Sequence, residues 1–534
     1  MKSSRREFLC AAGAGLALAP ALRSAASECL IEALIDEPIA TIAPQIYGHF
    51  AENLGGVVYD GIWVGEDSRV ANIGGLRKEL IEALRRIKAP VIRWPGGCFA
   101  DSYDWRDGTG PRDKRPRRTN FWAGSEWPKG ANPTGPQHYD PNQFGTVEFA
   151  RFCRLSGAQP YIAANLRGMT AEEFDHWVEY CNSPAGTTTL ADQRAADGER
   201  DPLKVRYWGV GNEAWGCGGS FTPEDYATEF LRYTAWVPGF GVPLSFVGSG
   251  PSDGDVSWTR GFFEKVGRKH ELGRMWGWSM HHYAWNASGG RTTDWVAGKG
   301  DALRFGAQQY YAILRDAAQM DAFISNQWEV MGESDPHHHV KLVVDEWGAW
   351  YRPGTEPFAD ALLGQQSTMR DAVLAGMTLD TFNHHADKVG MAAIAQLVNC
   401  LQSLFFAHED KFCVTPTYHV FDMFAAHQGA QSVRTMLAAP QASKGLAGLS
   451  CSASVREKRL TLTVTNPSLD QAREVEIAVR GARVASAKAV VLEAADVHAH
   501  NSFENPHAVE PRTEPAMPHR FAPASVTKLE IELV

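Results

Sequence analysis

The feature that most restricts the fold of this chain is a repeated alternation of short apolar segments with amphipathic helical patterns between residues 45 and 398. Eight segments have the length and apolar content of buried strands, and Pro or Gly ends several of them. These segments are residues 45–50, 90–97, 160–165, 206–211, 243–249, 275–283, 340–346 and 391–398. Helical spacing lies between them, for example over 75–88, 146–155, 223–236 and 367–383, and no hairpin signal interrupts the series. This pattern predicts a (β/α)8 TIM barrel.

An open doubly wound sheet of the Rossmann type is the alternative for such a pattern. That fold needs a glycine-rich phosphate turn after its first strand. The nearest candidate, Gly209-Val210-Gly211, lacks the third glycine and is followed by the acidic Glu213. The barrel is therefore the preferred prediction.

Polar side chains stand at or just beyond the ends of the predicted barrel strands. They are Glu52, Arg93, Asn165, Asn212, Glu213, Ser249, His281, Glu346 and Gln396. Active sites of such barrels form at the carboxyl ends of the strands, so we expect these residues to converge.

Two of these residues, Glu213 and Glu346, suggest a specific chemistry. Glycoside hydrolysis uses one carboxylic acid to protonate the leaving oxygen and a second, ionised carboxylate at the anomeric centre. Trp208 and Trp215 flank Glu213 and would favour its protonated form, whereas Arg93 could hold Glu346 ionised. A single Glu is more often a surface residue at a helix start, but two at strand ends favour a catalytic pair.

The texture of the sequence changes from about residue 411. Residues 415–428 still have helical spacing, but residues that alternate between apolar and polar replace it over 445–463. Residues 460–465, 474–479, 489–492 and 526–533 read as strands with a period of two. We expect four parts: a signal at 1–27, a strand at 28–44 that joins the sandwich, the catalytic barrel at 45–410, and a jelly-roll-like all-β sandwich at 411–534. No low-complexity linker separates the last two, which favours a stiff junction.

The N-terminus resembles a twin-arginine export signal. The segment SRREFL at residues 4–9 precedes an Ala/Gly/Leu run that is too short to span a bilayer comfortably. A short membrane anchor is the alternative. The sequence therefore predicts export to the periplasm or the extracellular space, with no stable membrane association once the signal is cleaved. The net charge of −10 disfavours nucleic acid as a partner.

Several other groups of residues are candidates for a functional role. The nine cysteines contain no Cys-x-x-Cys pair, and their disulfide pairing cannot be deduced. Residues 337–339 are three consecutive histidines, but they precede a strand at the barrel's non-catalytic end, so a metal site there is disfavoured. The basic run at 112–118 could touch an acidic polysaccharide, but a solvated loop or an inter-subunit salt-bridge patch is preferred. The 17 tryptophans suit either sugar platforms or the core, and Trp122, Trp127 and Trp350 are the candidate platforms near the site.

Taken together, six stretches resemble glycoside hydrolase family 51, the retaining α-L-arabinofuranosidases. They are YGHFAENLG (47–55), IRWPGGCF (92–99), GNE (211–213), MHHY (280–283), VDEW (344–347) and AQLVN (395–399). The resemblance covers essentially the whole chain after the signal. It implies a (β/α)8 barrel with a C-terminal β-sandwich.

The resemblance also implies roles for individual residues. Glu213 would be the acid/base and Glu346 the nucleophile, and Asn212 would bind the sugar 2-hydroxyl. The remaining expected substrate-binding residues are Glu52, Arg93, Cys98, His281, Tyr283 and Gln396. In the family the histidine motif is usually His-x-Tyr, so the presence of His282 leaves open which imidazole faces the pocket. Cys98 lacks a catalytic His partner in sequence and is expected to line the pocket.

The expected activity is release of terminal α-L-arabinofuranosyl groups from arabinoxylan, arabinan or arabino-oligosaccharides with retention of configuration. No cofactor and no metal are expected, and the family often forms homohexamers. Two alternatives remain. One is an endo-β-1,4-glucanase or xylan-active relative, and the other is a carbohydrate-binding protein that has lost catalysis.

Overall fold

The computed structural model describes residues 29–120, 139–285, 298–359, 361–514, 517 and 520–534. The expected export signal, Trp122 and Trp127 lie outside these ranges. Within them, no helix combines the length and the apolar character that crossing a bilayer requires.

Strands account for both halves of the described fold. In chain order they are β1 (Cys29–Thr41), β2 (Gly48–Phe50), β3 (Asn72–Ile73), β4 (Leu76–Arg77), β5 (Val91–Trp94), β6 (Arg118–Thr119), β7 (Tyr139–Asp140), β8 (Gln159–Ala164), β9 (Tyr207–Val210), β10 (Ser245–Gly248), β11 (Met275–Trp285), β12 (Lys341–Trp350), β13 (Val389–Ala395), β14 (Phe405–His408), β15 (Lys411–Val414), β16 (Gln431–Ala438), β17 (Ser450–Arg456), β18 (Arg459–Asn466), β19 (Arg473–Arg480), β20 (Val484–Leu492), β21 (Arg512–Glu514), β22 (Arg520–Phe521) and β23 (Ser525–Leu533).

Eight of these strands close into a barrel in the order β2-β5-β8-β9-β10-β11-β12-β13. Every neighbouring pair is parallel, including β13 with β2. The predicted (β/α)8 barrel is therefore confirmed. Parallel strands place their carboxyl ends at one face, which is where the polar residues of the sequence pattern collect.

Helices follow the barrel strands and cover their outer faces. They are α1 (Lys78–Arg86), α2 (Thr146–Ser156), α3 (Ala171–Asn182), α4 (Thr189–Ala196), α5 (Pro223–Tyr233), α6 (Val256–Arg268), α7 (Ala307–Ala317), α8 (Met320–Gly332), α9 (Met369–His384) and α10 (Pro416–Phe424). Local chemistry sets several of their starts. Thr222 caps α5, which begins at Pro223, and Thr368 forms a capping box with Asp371 at the start of α9.

The first barrel unit differs from its predicted boundaries. Residues 44–47 form a 3-10 turn, so the strand predicted over 45–50 is only β2. Gly48 is the first residue of this strand. A larger residue would not fit here, because a Cβ would lie 2.5 Å from the carbonyl oxygen of Ala392. The helix predicted over 75–88 begins only at Lys78, since Gly74 and Gly75 adopt positive φ angles and turn β3 into β4. The expectation that no hairpin interrupts the barrel units was wrong here, because two adjacent glycines allow this turn.

Beyond α10, the C-terminal part is built of strands and contributes to a nine-stranded sheet in the order β21-β20-β23-β18-β17-β16-β1-β19-β22. The N-terminal strand β1 lies in the interior of this sheet, where it runs antiparallel to β16 and parallel to β19. Alternate residues of β1, such as Ile31 and Ala33, are buried in the second apolar core together with Leu462 and Ile531. A barrel followed by a C-terminal β-sandwich is the predicted fold class, and it is confirmed.

Helix α9 joins the two parts through a buried carboxyl group. Asp380 accepts hydrogen bonds from Ser450 and Ser452 of β17 and from Thr463 of β18, at distances of 2.6–3.0 Å. Burial raises the pKa of Asp380 to about 7, although these hydroxyl donors oppose the shift. A barrel helix is thus hydrogen-bonded directly to the sandwich.

Candidate active site

A cavity of about 400 Å³ opens at the carboxyl ends of the barrel strands. Its lining contains most of the residues that the sequence predicted for the site. These are Glu52, Cys98, Asn212, Glu213, His281, Tyr283, Glu346 and Gln396. Arg93, which is 2% exposed, lies below this lining and contacts it through its guanidinium group. The strand-end pattern therefore leads to one pocket.

Glu346 on β12 is held at both carboxylate oxygens. Arg93 donates to Oε1 at 2.7 Å, and the hydroxyl of Tyr283 donates to Oε2 at 2.8 Å. A Cβ at Gly97 would lie 2.9 Å from Oε1, so the absence of a side chain there makes room for the carboxylate. The predicted pairing of Glu346 with Arg93 is present as a short charge-assisted hydrogen bond.

Glu213 follows β9 on a tight turn and adopts a φ of 39°. Gly211 precedes it at φ 82°, and the amide of Ala214 donates to Ser249 Oγ at 3.1 Å. The side chain of Glu213 is 20% exposed, compared with 7% for Glu346. Its Oε1 lies 3.0 Å from His281 Nδ1, whereas Oε2 faces two sulfur atoms. The turn thus presents a carboxyl group to the open side of the cavity.

The two glutamates face each other across a short gap. One oxygen of Glu213, one oxygen of Glu346 and one nitrogen of His281 all lie within 4.8 Å of one another. Carboxyl groups about 5–5.5 Å apart are typical of retaining glycosidases, whereas inverting enzymes leave about 6.5–9.5 Å for a water molecule. The observed separation belongs to the shorter class.

His281 bridges two carboxylates. Its Nδ1 lies 3.0 Å from Glu213 and its Nε2 lies 3.1 Å from Asp345 Oδ1. Burial alone would lower the pKa of His281, but Glu346, Asp345 and Glu213 together raise it to about 10. The imidazole is therefore a cation at neutral pH, with both ring nitrogens donating.

The open question between the two histidines is answered by their orientation. His281 lines the cavity, whereas His282 bonds Asp253 at 2.7 Å and the carbonyl of Asp316 at 3.0 Å. Successive residues of a strand point to opposite faces, so only one of the pair can face inwards.

Asp345 is a central residue of the site to which the sequence analysis gave no role. Its Oδ2 lies 3.3 Å from Arg93 Nε and accepts a bond of 2.8 Å from the hydroxyl of Tyr161. Burial alone would raise the pKa of Asp345, but Arg93 and His281 lower it to about 2. Burial would also lower the pKa of Arg93, yet Asp345 and Glu346 raise it above its ordinary value. These groups form one buried ionic network.

Glu52 closes another side of the pocket. Its Oε1 accepts from the amides of Gly97 at 3.1 Å and Phe99 at 3.0 Å, and its Oε2 accepts from Gln396 Nε2 at 3.1 Å. Burial, together with the nearby Glu346 carboxylate, raises the pKa of Glu52 to about 7. Asn212 Oδ1 accepts a bond of 2.7 Å from Arg93, which links it to the same network.

Cys98 lines the pocket, but as one half of a disulfide bond with Cys217. The bond joins residues 119 positions apart in the chain, in the loops after β5 and β9. Both sulfurs lie close to Glu213 Oε2, at 3.8 Å for Cys98 and 3.7 Å for Cys217. This pairing was not predicted, since cysteine spacing alone does not define it.

Some of the predicted strand-end residues support loops and do not line the pocket. Asn165 donates to the carbonyl of Tyr103, and Ser249 supports the turn that carries Glu213. Trp208 packs against Phe174 and Trp177, away from Glu213, so the expectation that it provides an apolar setting for that carboxyl group was wrong. Trp208 lies on β9, where its position in the strand alternation directs it to the helices.

The neighbour of Glu213 on the other side, Trp215, does line the cavity, as do Trp285 and the predicted platform Trp350. Trp350 packs edge to face against Tyr283, with ring centroids 5.0 Å apart. Sequence reasoning did not single out Trp285, which follows His281 by four positions on the same strand. Its place at the carboxyl end of β11 is the signal that could have identified it.

The remaining candidates from the sequence make ordinary intrachain contacts. His338 stacks on Trp328 with centroids 3.9 Å apart, and His339 bonds Asp335 at 3.0 Å. The basic run forms ion pairs within the chain. Arg112 and Arg115 contact Glu148, and Arg118 contacts Asp107, at nitrogen–oxygen distances of 2.6–3.1 Å. The expected inter-subunit salt-bridge patch stays a prediction.

Comparison with known proteins agrees with this geometry. Two family models match the chain: the α-L-arabinofuranosidase 1 domain over residues 83–238 and the α-L-arabinofuranosidase C-terminal domain over residues 345–525. The chain is 36% identical over 497 residues to an intracellular exo-α-L-arabinofuranosidase of Bacteroides ovatus, covering 91% of each chain.

Solved structures give the same relationship. The family 51 arabinofuranosidase of Xanthomonas axonopodis pv. citri superposes with a TM-score of 0.86 at 34% identity, covering 95% of this chain and 100% of that one. The α-L-arabinofuranosidase of Thermotoga maritima, solved with arabinose, superposes with a TM-score of 0.79 at 30% identity and the same coverage. The chain belongs to glycoside hydrolase family 51, the α-L-arabinofuranosidases, as its motifs predicted.

Proposed function

We propose that this protein is an exo-acting α-L-arabinofuranosidase that removes terminal non-reducing α-L-arabinofuranosyl groups with retention of configuration. The observation that carries the proposal is the short separation of the Glu213 and Glu346 oxygens, at most 4.8 Å, at the ends of two barrel strands. Family membership and the names of the relatives support the same sugar specificity.

Glu346 is the proposed nucleophile. Its carboxylate attacks the anomeric carbon as the glycosidic C–O bond breaks, which gives a covalent arabinosyl-enzyme ester. Arg93 and Tyr283 each hold one of its oxygens, which fixes the carboxylate in orientation before attack.

Glu213 is the proposed acid/base. It gives its proton to the departing glycosidic oxygen in the first step and takes one from water in the second, when that water attacks the anomeric carbon. Its greater exposure and its place on the open side of the cavity suit contact with both the leaving group and water.

The other pocket residues are proposed to bind the furanose ring. Asn212, fixed by Arg93, would bind the 2-hydroxyl, a contact that strengthens as charge develops at the neighbouring anomeric carbon. Glu52, Cys98, His281 and Gln396 complete the proposed wall of the sugar site. A cavity of about 400 Å³ is near the small end of the usual range of ligand pockets, about 300–1,000 Å³, which favours a terminal sugar over the long groove of an endoglucanase.

Substitution of the two glutamates tests these roles. Glu346→Gln is expected to abolish turnover. Glu213→Gln is expected to slow arabino-oligosaccharide hydrolysis by about 10²–10⁴-fold, with a smaller loss on 4-nitrophenyl α-L-arabinofuranoside, whose leaving group needs little protonation. Glu264→Gln is the control, because this exposed residue on α6 pairs with Arg268 and does not line the cavity. Equal, mild losses in both pocket variants, or an inverted first product by NMR, would contradict the mechanism.

Substrate range is tested by a matched panel. We expect activity on 4-nitrophenyl α-L-arabinofuranoside, on arabinan and on arabinoxylan, and at most weak activity on the β-D-xyloside and β-D-glucoside. Shortening of glucan or xylan backbones would favour the endo-acting alternative. Binding of arabino-oligosaccharides without any hydrolysis would favour the non-catalytic alternative.

We also propose export by the twin-arginine route and assembly as a homo-oligomer, a hexamer by family resemblance. The SRREFL segment supports export, and a disulfide next to the pocket fits an oxidising compartment. The names of the intracellular relatives weigh against it. A reporter fused to residues 1–30 should leave the cytoplasm, and the Arg5→Lys/Arg6→Lys form of that fusion should remain inside. Light scattering after gel filtration measures the assembly.

A further inference from the structure

The disulfide beside the pocket forms a compact group with the carboxyl group of Glu213. Cys98 and Cys217 approach the same oxygen, Oε2, at 3.8 and 3.7 Å, whereas the other oxygen, Oε1, faces His281. One ligand atom from each of the three residues lies within 4.8 Å of the other two. Two sulfurs and one carboxylate oxygen are therefore gathered around a single point in the cavity wall.

These distances match three corners of a tetrahedral zinc site. With Zn–S of about 2.3 Å and Zn–O of about 2.0–2.2 Å, tetrahedral angles place a sulfur and an oxygen about 3.5–3.7 Å apart and two sulfurs about 3.8 Å apart. The observed sulfur–oxygen separations are already close to that range. Only the distance between the two sulfur atoms must increase. Once the bond between them is broken, the two thiols move apart to about this distance even before a metal binds.

We propose that reduction of the Cys98–Cys217 disulfide creates a zinc-binding site made of both thiolates and Glu213 Oε2, with the fourth position open to water or a ligand in the cavity. A dithiol or a phosphine reductant supplies two electrons. The S–S bond breaks and each sulfur gains a proton. A dithiol transfers its own two protons and becomes a disulfide, whereas a phosphine takes the oxygen of one water molecule, becomes the phosphine oxide and leaves the two protons of that water on the thiols. Binding of Zn²⁺ then displaces the two thiol protons.

The surroundings of the site favour a bound cation with two thiolates. Asn212 Nδ2 lies 3.7 Å from the sulfur of Cys217 and can donate to a thiolate. The cavity gives access, since all three ligand residues line it. In the described part of the chain, the other group of three potential ligands is Glu213, His281 and Glu346, which contains no thiol. The soft sulfur pair distinguishes the proposed site and selects Zn²⁺ over Mg²⁺ or Ca²⁺.

The expected consequence is inhibition, and this part of the inference rests on the proposed role of Glu213. A metal ion on Oε2 occupies one of the two oxygens of the carboxyl group that must exchange a proton with the substrate. The reduced enzyme should therefore lose activity in Zn²⁺, whereas the oxidised enzyme should not. Binding itself does not depend on the catalytic assignment.

Metal binding is tested with Co²⁺ as a spectroscopic probe. The wild-type protein is reduced with a phosphine, freed of reductant without oxygen and titrated with Co²⁺. One equivalent should bind with a thiolate-to-cobalt charge-transfer band, and Zn²⁺ should abolish the band. The oxidised wild type is the matched control, because it has the same sequence without free thiols at these positions. No band in the reduced protein, or an equal band in the oxidised one, would overturn the proposal.

Variants then assign the ligands. Cys98→Ser/Cys217→Ser should lose the charge-transfer band, whereas Cys413→Ser should keep it, because Cys413 is buried on β15 and does not line the cavity. Glu213→Gln keeps both thiols and should bind Co²⁺ at least about 10-fold more weakly, which is the usual loss even for an outer partner of a metal. A band that persists in the double variant, or unchanged affinity in Glu213→Gln, would refute the ligand set.

Activity assays separate this inference from the proposed function. The oxidised enzyme must hydrolyse 4-nitrophenyl α-L-arabinofuranoside, and its failure to do so would contradict the function without bearing on the Co²⁺ result. The reduced enzyme with EDTA should remain active, and Zn²⁺ should inhibit it reversibly. If the reduced enzyme is inactive even in EDTA, the Cys98–Cys217 disulfide itself is needed to position the loops that it joins. The inhibition part of the proposal is then wrong.

Discussion

Replacing Arg93 with Met tests whether the buried ionic network supports the barrel as well as the active site. Arg93 is 2% exposed and contacts Glu346 at 2.7 Å, Asp345 at 3.3 Å and Asn212 at 2.7 Å. Met fills a similar length of space but provides no charge and no donor. The variant therefore leaves two buried carboxylates without their main cation.

The expected cost follows from that geometry. Removing one partner of a buried ion pair typically destabilises a protein by about 3–5 kcal/mol, because the remaining charge is buried and uncompensated. Arg260→Met is the matched control. Arg260 also pairs closely with a carboxylate, Glu333, at 2.9 Å, but its side chain is 42% exposed. Exposed pairs are screened by solvent and contribute little, so the control should stay close to the wild type in stability.

Tryptophan fluorescence during urea unfolding measures this difference in the barrel alone. All 17 tryptophans precede residue 351, and β1 and the strands after residue 430 that form the C-terminal sheet contain none. The free energy of barrel unfolding should fall by about 3–5 kcal/mol in Arg93→Met. A loss no larger than that of Arg260→Met would refute the conclusion that Arg93 compensates the buried carboxylates.

The pH dependence of the stability difference between the wild type and Arg93→Met provides a second check. In the wild type the pKa of Asp345 is lowered to about 2, so its contribution to stability is present above its ordinary value of 3.8 and is lost as the pH falls through about 2. Without Arg93, burial dominates and disfavours the charged form. The variant should therefore lose stability as the pH rises, and the gap between the two proteins should narrow between pH 7 and pH 4.

Three further predictions use neighbouring groups. Tyr283→Phe removes a donor to the Glu346 carboxylate and should lower kcat/KM by about 10–100-fold, as expected for a hydrogen bond to a charge, whereas Tyr310→Phe, which removes a buried hydroxyl on α7, should leave it unchanged. The pKa of Glu52 is raised to about 7, so its contribution to stability is present below its ordinary value of 4.5 and is lost as the pH rises through 7. Glu52→Gln should therefore flatten the pH dependence of the free energy of unfolding by up to ~3 kcal/mol. The pKa of Asp380 is also raised to about 7, and Asp380→Asn should remove a similar loss, of up to ~4 kcal/mol, from the far-UV unfolding curve between pH 4 and pH 8.

The fold could be predicted because its signals are periodic and repeated. Apolar segments of strand length and helical patterns alternate eight times, and the change to a period of two marks the sandwich strands. The boundaries were less accessible where backbone geometry overrides periodicity. The glycine pair at 74–75 is an example, because its positive φ angles form a hairpin inside a segment with helical spacing. A sequence pattern does not reveal which glycines take those angles.

The site could be predicted from the rule that strand ends converge, but Asp345 shows where that rule fails. In a regular strand, Asp345 and Glu346 would point to opposite faces. The pairing of β11 with β12 shifts between Ser279 and His281, where two residues of β11 match three of β12. This extra residue is a β-bulge, and it lets both carboxylates contact Arg93. A bulge has no signature in this sequence.

The charges around Glu346 account for the raised pKa of Glu52. Four carboxyl groups, those of Glu52, Glu213, Asp345 and Glu346, lie in or beside the pocket with two cations, Arg93 and His281. If Asp345 and Glu346 are ionised, the two cations balance them, and any further negative charge is unfavourable in so buried a site. The raised pKa of Glu52 follows from this balance, since Glu346 already carries a charge beside it. Arg93 contacts both Asp345 and Glu346, and His281 bridges Asp345 and Glu213, so the two cations are shared among these three carboxyl groups. Glu52 is held instead by the amides of Gly97 and Phe99 and by Gln396, which are neutral donors, and this difference explains why its pKa rises.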